Sequence, residues 1–363
     1  MENRVNDKPS RRQRGAPTIS DVARRAGVSP MTVSRVVNGE NSVRPETRKA
    51  VEAAIAALNY APNLAARSLA GAEQIKVGLL YSNPSAAYLS EFLVGGLEQA
   101  SRANVQFVVE KCDAGRHEVE AAQHLIAGGI DGVILPPPLC DSAAVIAVLA
   151  ASGTPVVVVA TGRPPADVSA VNIDDYRAAY AMTRHILSLG HARIGFIAGN
   201  PNQTASERRL EGYRDALAAG GIAVSEELVA QGLYTYRSGL DAAEGLLDLP
   251  EPPSAIFASN DDMAAAAVAV AHRRGLDVPS DLTVCGFDDT AIATIIWPEL
   301  TTIHQPITDM SRAAVDLLVS EIRARRAGRS DPCQQLLLDF NLVRRQSDAA
   351  PRRRPPVVAA QRS

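Results

Sequence analysis

Residues 18–69 constrain the fold of this chain more than any other stretch of the sequence. Thr18, with Asp21 three positions later, supplies the N-cap and the acidic partner that predict the start of a helix. Apolar residues then recur at helical spacing as far as Gly27, and Ser29 predicts the cap of a second short helix. A helix, a glycine-containing turn and a second helix in so short a stretch predict a helix-turn-helix.

The second predicted helix has two different faces. Val33, Val36 and Val37 fall on one side at about 100° per residue and are expected to pack in the core. The opposite face carries Met31, Ser34, Arg35 and Asn38. A helix this short is not stable alone, so its valines must pack on neighbouring helices. The polar face can then lie in a major groove, where the Arg35 side chain suits the O6 and N7 atoms of a guanine.

The surroundings of this helix also favour DNA. Thr18, Ser29 and Thr32 are placed, with the N–H groups of the helix starts, to bind phosphates and fix the register. A third helix is expected over about residues 44–58. Residues 1–71 hold 12 basic and 6 acidic side chains, although the whole chain has a net charge of −3. The positive charge is therefore concentrated where the DNA contact is predicted.

The same residues carry a resemblance to a known family. The segments TISDVARRAGVSPMTVSRVVNG, PETRKAVEAAIAALNYAPN and AARSLAG resemble the head of the LacI/GalR family of transcriptional regulators. The resemblance implies that Pro30, Met31 and Arg35 touch base edges. Because Pro30 has no N–H to donate and Met31 offers only van der Waals contact, direct base readout is expected to depend on Arg35.

The segment PNLAARSLAG resembles the hinge helix of that family. So short a segment should not fold alone in water. Two copies paired across a homodimer and pressed into a minor groove could form helices. The resemblance then makes Leu69 the wedge between base steps and places Ala66 close to the floor of the groove. The alternative is a flexible linker.

The rest of the chain alternates short apolar runs with amphipathic stretches. The runs IKVGLLY, VQFVVE, DGVILP, PVVVVA, ARIGFIAG, SAIFASN and LTVCGF read as strands that are buried on both faces. Such strands joined by helices indicate parallel sheets covered on both sides. Two series of them predict two doubly wound lobes, with a ligand cleft at the carboxyl ends of the strands.

This region resembles the effector domain of the same family, which is itself similar to type I periplasmic sugar-binding proteins. The fold class is therefore expected to be a small all-α helix-turn-helix head plus an α/β effector domain of two doubly wound parallel-sheet lobes. The predicted parts are a disordered basic arm (1–17), the helix-turn-helix domain (18–61), the hinge helix or linker (62–73), the effector-binding and dimerisation domain (74–346) and a disordered tail (347–363). Lobe 1 is expected over about 74–161 and 292–330, and lobe 2 over about 162–291 and 331–346.

The resemblance also implies a set of effector-binding residues at the mouth of the cleft. These are Ser82, Tyr88, Asp174, Arg209, Tyr234, Asn260, Asp288 and Gln305. The carboxylate of Asp288 can accept two hydrogen bonds from the hydroxyls of a polyol. The planar fork of Arg209 suits vicinal hydroxyls, ring oxygens or a carboxylate, and Tyr234 stands where family members place a ring that stacks on a sugar or a base.

Several classes of function are disfavoured. There is no P-loop, no GxSxG, no GxGxxG after the first strand and no spacing typical of metal ligands, so no catalytic residue, metal or cofactor is expected. No signal peptide and no run of 18 apolar residues occurs, which favours a cytoplasmic, nucleoid-associated protein. The tail has no leucine heptad, so we expect a homodimer.

These features together predict a sequence-specific DNA-binding repressor. It would bind a pseudo-palindromic operator as a homodimer and respond to a small effector, a sugar or glycoside, in the cleft between the lobes. Two alternatives stay open at this point. One is a regulator that needs a purine as corepressor, and the other is a sugar-binding protein without a regulatory role.

Overall fold

The computed structural model describes residues 17–37, 43–58, 60, 74–113 and 115–352. The expectations for the basic arm, Asn38, Ala66, Leu69, the hinge and the end of the tail lie outside the described residues. The chain divides into two compact units, Met1–Gln74 and Ile75–Ser363. Their described parts are named the head and the body.

The described part of the head contains three helices that share one core. They are α1 (Ile19–Ala26), α2 (Pro30–Val37) and α3 (Pro45–Leu58). The carboxylate of Asp21 accepts hydrogen bonds from the backbone N–H and the hydroxyl of Thr18, at 3.0 and 2.7 Å, and so ties down the start of α1. Val22, Val33 and Val51, one from each helix, are fully buried together. The helix-turn-helix prediction is confirmed.

The described residues of the body form twelve strands and nine helices. The strands are β1 (Ile75–Tyr81), β2 (Val105–Lys111), β3 (Gly132–Leu135), β4 (Val156–Val159), β5 (Ser169–Asn172), β6 (Ile194–Ala198), β7 (Val229–Gln231), β8 (Ala255–Ala258), β9 (Thr283–Cys285), β10 (Thr302–His304), β11 (Gln335–Leu337) and β12 (Asn341–Val343). The helices are α4 (Ala86–Ala103), α5 (Glu118–Ala127), α6 (Ala143–Ala151), α7 (Asp175–Ser188), α8 (Thr204–Ala219), α9 (Tyr236–Leu247), α10 (Asp261–Arg273), α11 (Ile292–Ile295) and α12 (Ile307–Arg326).

Two parallel sheets organise these elements into two lobes. Lobe 1 has six strands in the order β11-β5-β4-β3-β1-β2, and every neighbouring pair is parallel. Lobe 2 has four parallel strands in the order β7-β6-β8-β9. The central strands β3, β4, β6 and β8 are buried along their whole length. The predicted fold class is therefore confirmed.

The predicted lobe boundaries are wrong in three places. Strand β5 pairs with β4, so lobe 1 continues past 161 as far as Asn172. The segment 292–304 stays with lobe 2, since Cys285 and Asp288 form bridges with Thr301 and His304. Strand β11 pairs with β5 in lobe 1, and only β12 returns to lobe 2. These strands are short and only partly apolar, so their partners are chosen by tertiary packing and not by a local pattern.

The expectation of a disordered tail from 347 onwards is wrong for its first residues. Ser347 is 0% exposed and its hydroxyl accepts a hydrogen bond from the backbone N–H of Thr301 at 2.8 Å. The carboxylate of Asp348 lies 2.9 Å from Nε2 of His185. The composition of this segment suggested a solvated chain, but specific polar contacts hold its start against lobe 2.

The fold places the loops that follow several strands at one cleft. In lobe 1 these are the loops after β1, β3 and β4, and in lobe 2 those after β6, β8 and β9. Carboxyl ends of parallel strands meet at one edge of a sheet, and two such edges face each other here. Among the described residues, no helix combines the length and the apolar character needed to cross a bilayer.

Candidate functional site

One cavity lies between the two lobes of the body, at the carboxyl ends of the strands. It is lined by Asn83, Pro84, Ser85, Tyr88, Pro137, Ala160, Gln203, Ala205, Arg209, Tyr234, Asn260, Asp288 and Gln305. Six of the eight residues predicted to bind an effector are in this set. The volume of the cavity is about 30 Å³. This is room for roughly two to three water molecules.

Arg209, from α8, forms the charged centre of this cavity and is 5% exposed. Its Nε donates to Oδ1 of Asp175 at 2.8 Å, its Nη1 donates to the carbonyl of Ser259, and its Nη2 donates to Oε1 of Gln305 at 3.3 Å. The guanidinium carbon lies 3.6 Å from the ring centroid of Phe287, a cation–π distance. The guanidinium is thus held in one orientation by the protein itself.

The structure does not place the predicted Asp174 in the lining of the cavity, and its neighbour Asp175 instead pairs with Arg209, a residue of that lining. Asp174 caps α7 by accepting a hydrogen bond from the N–H of Arg177 at 2.9 Å, and it does not line the cavity. Asp175 is 3% exposed and pairs with Arg209. Burial raises the pKa of Asp175, and the charge of Arg209 acts against that rise. Because both residues are aspartates with the same N-cap preference, the sequence carried no signal that separates them, and the start of α7 decides which one caps the helix.

Ser85 likewise replaces the predicted Ser82 in the lining of the cavity. The Ser85 hydroxyl accepts a hydrogen bond from the N–H of Tyr88 at 3.3 Å, which caps α4. The same hydroxyl donates to Oδ2 of Asp262 at 2.6 Å. Because Asp262 belongs to α10 of lobe 2, Ser85 joins the two lobes beside the cavity.

Asp288 brings a second carboxylate to Arg209. Its Oδ1 lies 3.8 Å from Nη1 of Arg209, and the residue is 5% exposed. Burial raises the pKa of Asp288 well above its usual value, while Arg209 opposes the rise. Its backbone has φ of 105°, and the cavity residues Ala160 and Tyr234 also have positive φ. Such strained conformations often mark ligand sites.

Asp289, the residue after Asp288, contacts the side chains of Arg345 and His304 and does not line the cavity. Its Oδ1 accepts a hydrogen bond from Nη2 of Arg345 at 2.6 Å, and its Oδ2 lies 3.1 Å from Nδ1 of His304. Its own backbone is in the left-handed region, with φ of 60°. Asp289 is therefore engaged by other residues of the protein and not by the cavity.

Some buried polar atoms in the cavity lining, and one in contact with it, have no hydrogen-bond partner. Tyr88 Oη, Gln305 Nε2 and Asp175 Oδ2 make no hydrogen bond to any described residue. Burial raises the pKa of Tyr88, so its hydroxyl keeps its proton at neutral pH. The site thus offers two kinds of donor and at least one carboxylate acceptor, which is the complement of a molecule with several hydroxyl groups.

Tyr234 and Asn260 act together. The ring centroid of Tyr234 lies 5.8 Å from the guanidinium carbon of Arg209. The amide of Asn260 donates to the carbonyl of Tyr234 at 3.1 Å, and its Oδ1 accepts a hydrogen bond from the N–H of Met263 at 3.0 Å, which caps α10. The amide of Asn260 therefore holds the backbone of Tyr234 while lining the cavity.

Asp261 lies behind the cavity wall and titrates near neutrality. Burial raises its pKa from 3.8 to about 7, although Thr302 and Thr290 donate hydrogen bonds to its carboxylate at 2.7 and 2.8 Å. Because the folded pKa is the higher one, this group adds stability below pH 3.8 that is lost as the pH rises through about 7.

Asp261→Asn should remove that pH dependence. The amide can accept from the N–H of Thr290 and donate to Oγ1 of Thr302. The free energy of unfolding of the wild-type protein should fall between about pH 5 and pH 8. In the variant this fall should be smaller by on the order of 2 kcal/mol. Urea unfolding at the two pH values measures the difference. An equal loss in both proteins would mean that Asp261 does not titrate in this range.

The head presents the second candidate surface. Ser29 caps α2 by accepting a hydrogen bond from the N–H of Thr32 at 3.2 Å, and Pro30 takes the first helical position. Met31 is 66% exposed, Pro30 and Arg35 are exposed, and Ser34 is half-buried. Val33 and Val36 on the opposite face are buried. The exposed face of α2 therefore carries the side chains that were predicted to touch base edges.

Comparison with known proteins places both parts of the chain. Residues 18–63 match the family described as "Bacterial regulatory proteins, lacI family", and residues 183–347 match "Periplasmic binding protein-like domain". The HTH-type transcriptional regulator CelR of Thermobifida fusca is 36% identical over 348 residues, which cover 92% of this chain and 99% of that protein.

Solved structures agree with these matches. A complex of the transcriptional regulator CelR with cellobiose has a TM-score of 0.70 and 34% identity, and the match covers 91% of this chain and 99% of that one. The lac repressor dimer bound to operator and the anti-inducer ONPF has a TM-score of 0.68 and 30% identity, with 93% and 100% covered.

Proposed function

The chain belongs to the LacI family of bacterial regulatory proteins, and on that premise we propose that it is a repressor that binds a pseudo-palindromic operator as a homodimer. A neutral sugar or glycoside in the cleft of the body switches it. It acts in the cytoplasm, at the nucleoid, and is not an enzyme. Double-stranded DNA and the sugar are its partners, without a cofactor.

The observation that carries the regulatory half of this proposal is the division of α2 into two faces. Val33 and Val36 hold the helix in the core, while Met31 and Arg35 are left exposed along its outer side. This arrangement supports insertion into a major groove, where direct readout requires protruding side chains on a rigid helix. A sugar-binding protein without a regulatory role has no use for such a head.

The charges around the cavity support a neutral sugar. Asp175 and Asp288 both lie near Arg209, so its positive charge is already balanced before a ligand binds. Asp262 adds a further carboxylate, which accepts a hydrogen bond from Ser85 of the cavity lining. An anionic ligand would find the guanidinium of Arg209 already engaged by Asp175, whereas the hydroxyls of a sugar can bind carboxylates and the Tyr88 hydroxyl alike. The cellobiose in the CelR complex favours the same class over a purine corepressor.

Exposed apolar side chains support the homodimer. Val94 and Leu97 on α4 are 50% and 52% exposed, and Ile295 at the end of α11 and Trp297 just after it are 77% and 74% exposed. Apolar groups gathered on one helix or loop mark protein contact surfaces. The related lac repressor is a dimer on its operator. In our proposal, sugar binding changes the separation of the lobes in each protomer and thereby the spacing of the two heads.

Selection of bound sites from a random duplex library tests the proposal. Arg35→Ala should weaken binding to the selected palindrome by about 1–3 kcal/mol and relax its base preference, because the guanidinium reads a base edge. Fluorescence anisotropy at one fixed salt concentration measures both affinities. Adding cellobiose, ribose or guanine to the complex then shows which class of ligand releases the DNA.

Arg24→Ala is the matched control. It removes the same charge from α1, where the side chain is 78% exposed. The substitution should weaken binding to the selected duplex and to unrelated duplexes equally, since a phosphate contact carries no sequence information. If Arg35→Ala behaves in that same uniform way, or if selection returns no palindrome, the proposed mode of DNA recognition is wrong.

A further inference from the structure

A cluster of polar groups joins the two lobes outside the cavity. Asp141 lies in the short 3-10 turn Leu139–Asp141 of lobe 1 and does not line the cavity. Its Oδ2 accepts a hydrogen bond from the backbone N–H of Thr204 at 2.9 Å, and its Oδ1 accepts one from the hydroxyl of Thr204 at 2.8 Å. Thr204 is the first residue of α8 in lobe 2. Both bonds therefore cross the cleft.

The carboxylate of Asp141 serves as the missing cap of α8. Gln203, the residue before this helix, makes no capping hydrogen bond with its side chain. The first N–H groups of a helix need an acceptor, and a negative charge at this end is favourable. Lobe 1 supplies that charge to a helix of lobe 2. The helix α8 also carries Arg209, so the capped helix is the one that places the guanidinium in the cavity.

The loop after β4 completes the contact. The hydroxyl of Thr161 donates to Oδ1 of Asp141 at 2.6 Å, and the N–H of Gly162 donates to Oγ1 of Thr204 at 2.9 Å. A Cβ added at Gly162 would lie 2.5 Å from the carbonyl oxygen of Thr204 and 2.7 Å from the N atom of Ala205. These atoms are backbone of lobe 2, so an alanine at 162 could not be accommodated without separating the lobes.

We infer that Asp141, Thr161, Gly162 and Thr204 form a latch that holds the lobes closed without a ligand. The strength of this latch, and not only the contacts inside the cavity, then sets the effector concentration at which the protein responds. The consequence for the response rests on the proposed function. The closure itself does not, and it can be measured without DNA or effector.

The latch can be tested by the distance between spin labels on the two lobes. Labels go on Gln123→Cys in lobe 1 and Arg237→Cys in lobe 2 of the full-length chain with Cys333→Ser, since the other three cysteines are buried. Labelled chains are diluted into unlabelled chains of the same variant, so that distances within one protomer dominate. The wild-type protein should show a short-distance, closed population without any ligand.

Gly162→Ala should reduce that closed population by at least about tenfold. Asp141→Ala should reduce it by about tenfold, since a hydrogen bond to a charged group typically contributes a factor of ten or more. Gly162 has no left-handed backbone that would disfavour alanine. Gly245→Ala on α9 is the matched control, because its added Cβ meets nothing within 4 Å. It should leave the closed population unchanged.

The outcomes separate the latch from the proposed function. A closed population that survives in Gly162→Ala, or that is absent from the wild-type protein, overturns the latch. If closure is lost as expected and cellobiose-dependent release of operator DNA shifts to concentrations at least about tenfold different, the regulatory consequence is supported too. If closure is lost but no ligand affects DNA binding in any variant, the latch stands and the proposed function fails.

Discussion

Replacing Arg209 with methionine is expected to lower the free energy of unfolding of the body by about 3–5 kcal/mol at neutral pH. The guanidinium is the cation that faces the buried carboxylates of Asp175 and Asp288, at 2.8 and 3.8 Å. Methionine keeps much of the apolar volume against Phe287 but leaves both carboxylates without a counter-ion. Removing one partner of a buried pair is costly because the other charge stays away from water.

The loss of unfolding free energy in Arg209→Met should be larger at high pH than at low pH. Burial already raises the pKa of Asp175 and Asp288 in the folded protein, and removing Arg209 should raise both further. An acid with a raised folded pKa adds stability below its unfolded pKa and loses it as the pH rises. The variant should therefore be closer to the wild-type protein at about pH 5 than at about pH 8. Urea unfolding followed by circular dichroism measures both differences.

Arg208→Met is the matched control for this prediction. Arg208 is the neighbouring residue on α8, its side chain is 34% exposed and it pairs with Glu211 on the surface. Removing such a pair should cost less than about 1 kcal/mol at either pH. If the two variants are equally stable, or if the loss in Arg209→Met is the same at both pH values, the buried carboxylates do not depend on Arg209 as argued.

Replacing Val33 with aspartate is expected to unfold the head and abolish operator binding. Val33 is 0% exposed and packs with Val22 and Val51 in a core of six buried residues. Placing an unpaired carboxylate there costs several kcal/mol. A three-helix unit of this size has little stability in excess of that cost. Hydrogen exchange of peptides over 19–58 should lose its protection, while the unfolding of the body should not change.

Arg35→Ala supplies the control for this second prediction, because Arg35 lies on the exposed face of the same helix. It should weaken DNA binding while hydrogen exchange over 19–58 stays protected. If Val33→Asp binds the selected palindrome with unchanged affinity, or if Arg35→Ala loses the same protection, the two faces of α2 do not have separate roles.

Elements with a strong local pattern could be predicted closely. The run IKVGLLY corresponds to β1, and the first three helices of the chain lie close to their predicted limits. A continuous apolar strand or an apolar stripe at helical spacing has to be buried wherever it occurs. The element can therefore be recognised from its own residues. Arg209, Asp288 and Gln305 were found through a family resemblance, and the structure brings them to one cavity.

Other features depend on contacts between residues far apart in the chain. Asp174 and Asp175 have the same chemistry, and only the start of α7 decides that the first caps a helix and the second meets Arg209. The lobe boundaries depended on the partners of β5 and β11. The first residues of the tail are held by the contacts of Ser347 with Thr301 and of Asp348 with His185. No periodic pattern in the sequence predicts these contacts.

Local order, the two faces of α2 and the class of fold thus follow from short-range physics, since burial periodicity and capping act over a few residues. The pairing of edge strands, the balance of charge around Arg209 and the latch at Asp141 follow from long-range packing. The role of a carboxylate in such places depends on the helix end or the guanidinium that it contacts, and the chain brings the two together only on folding.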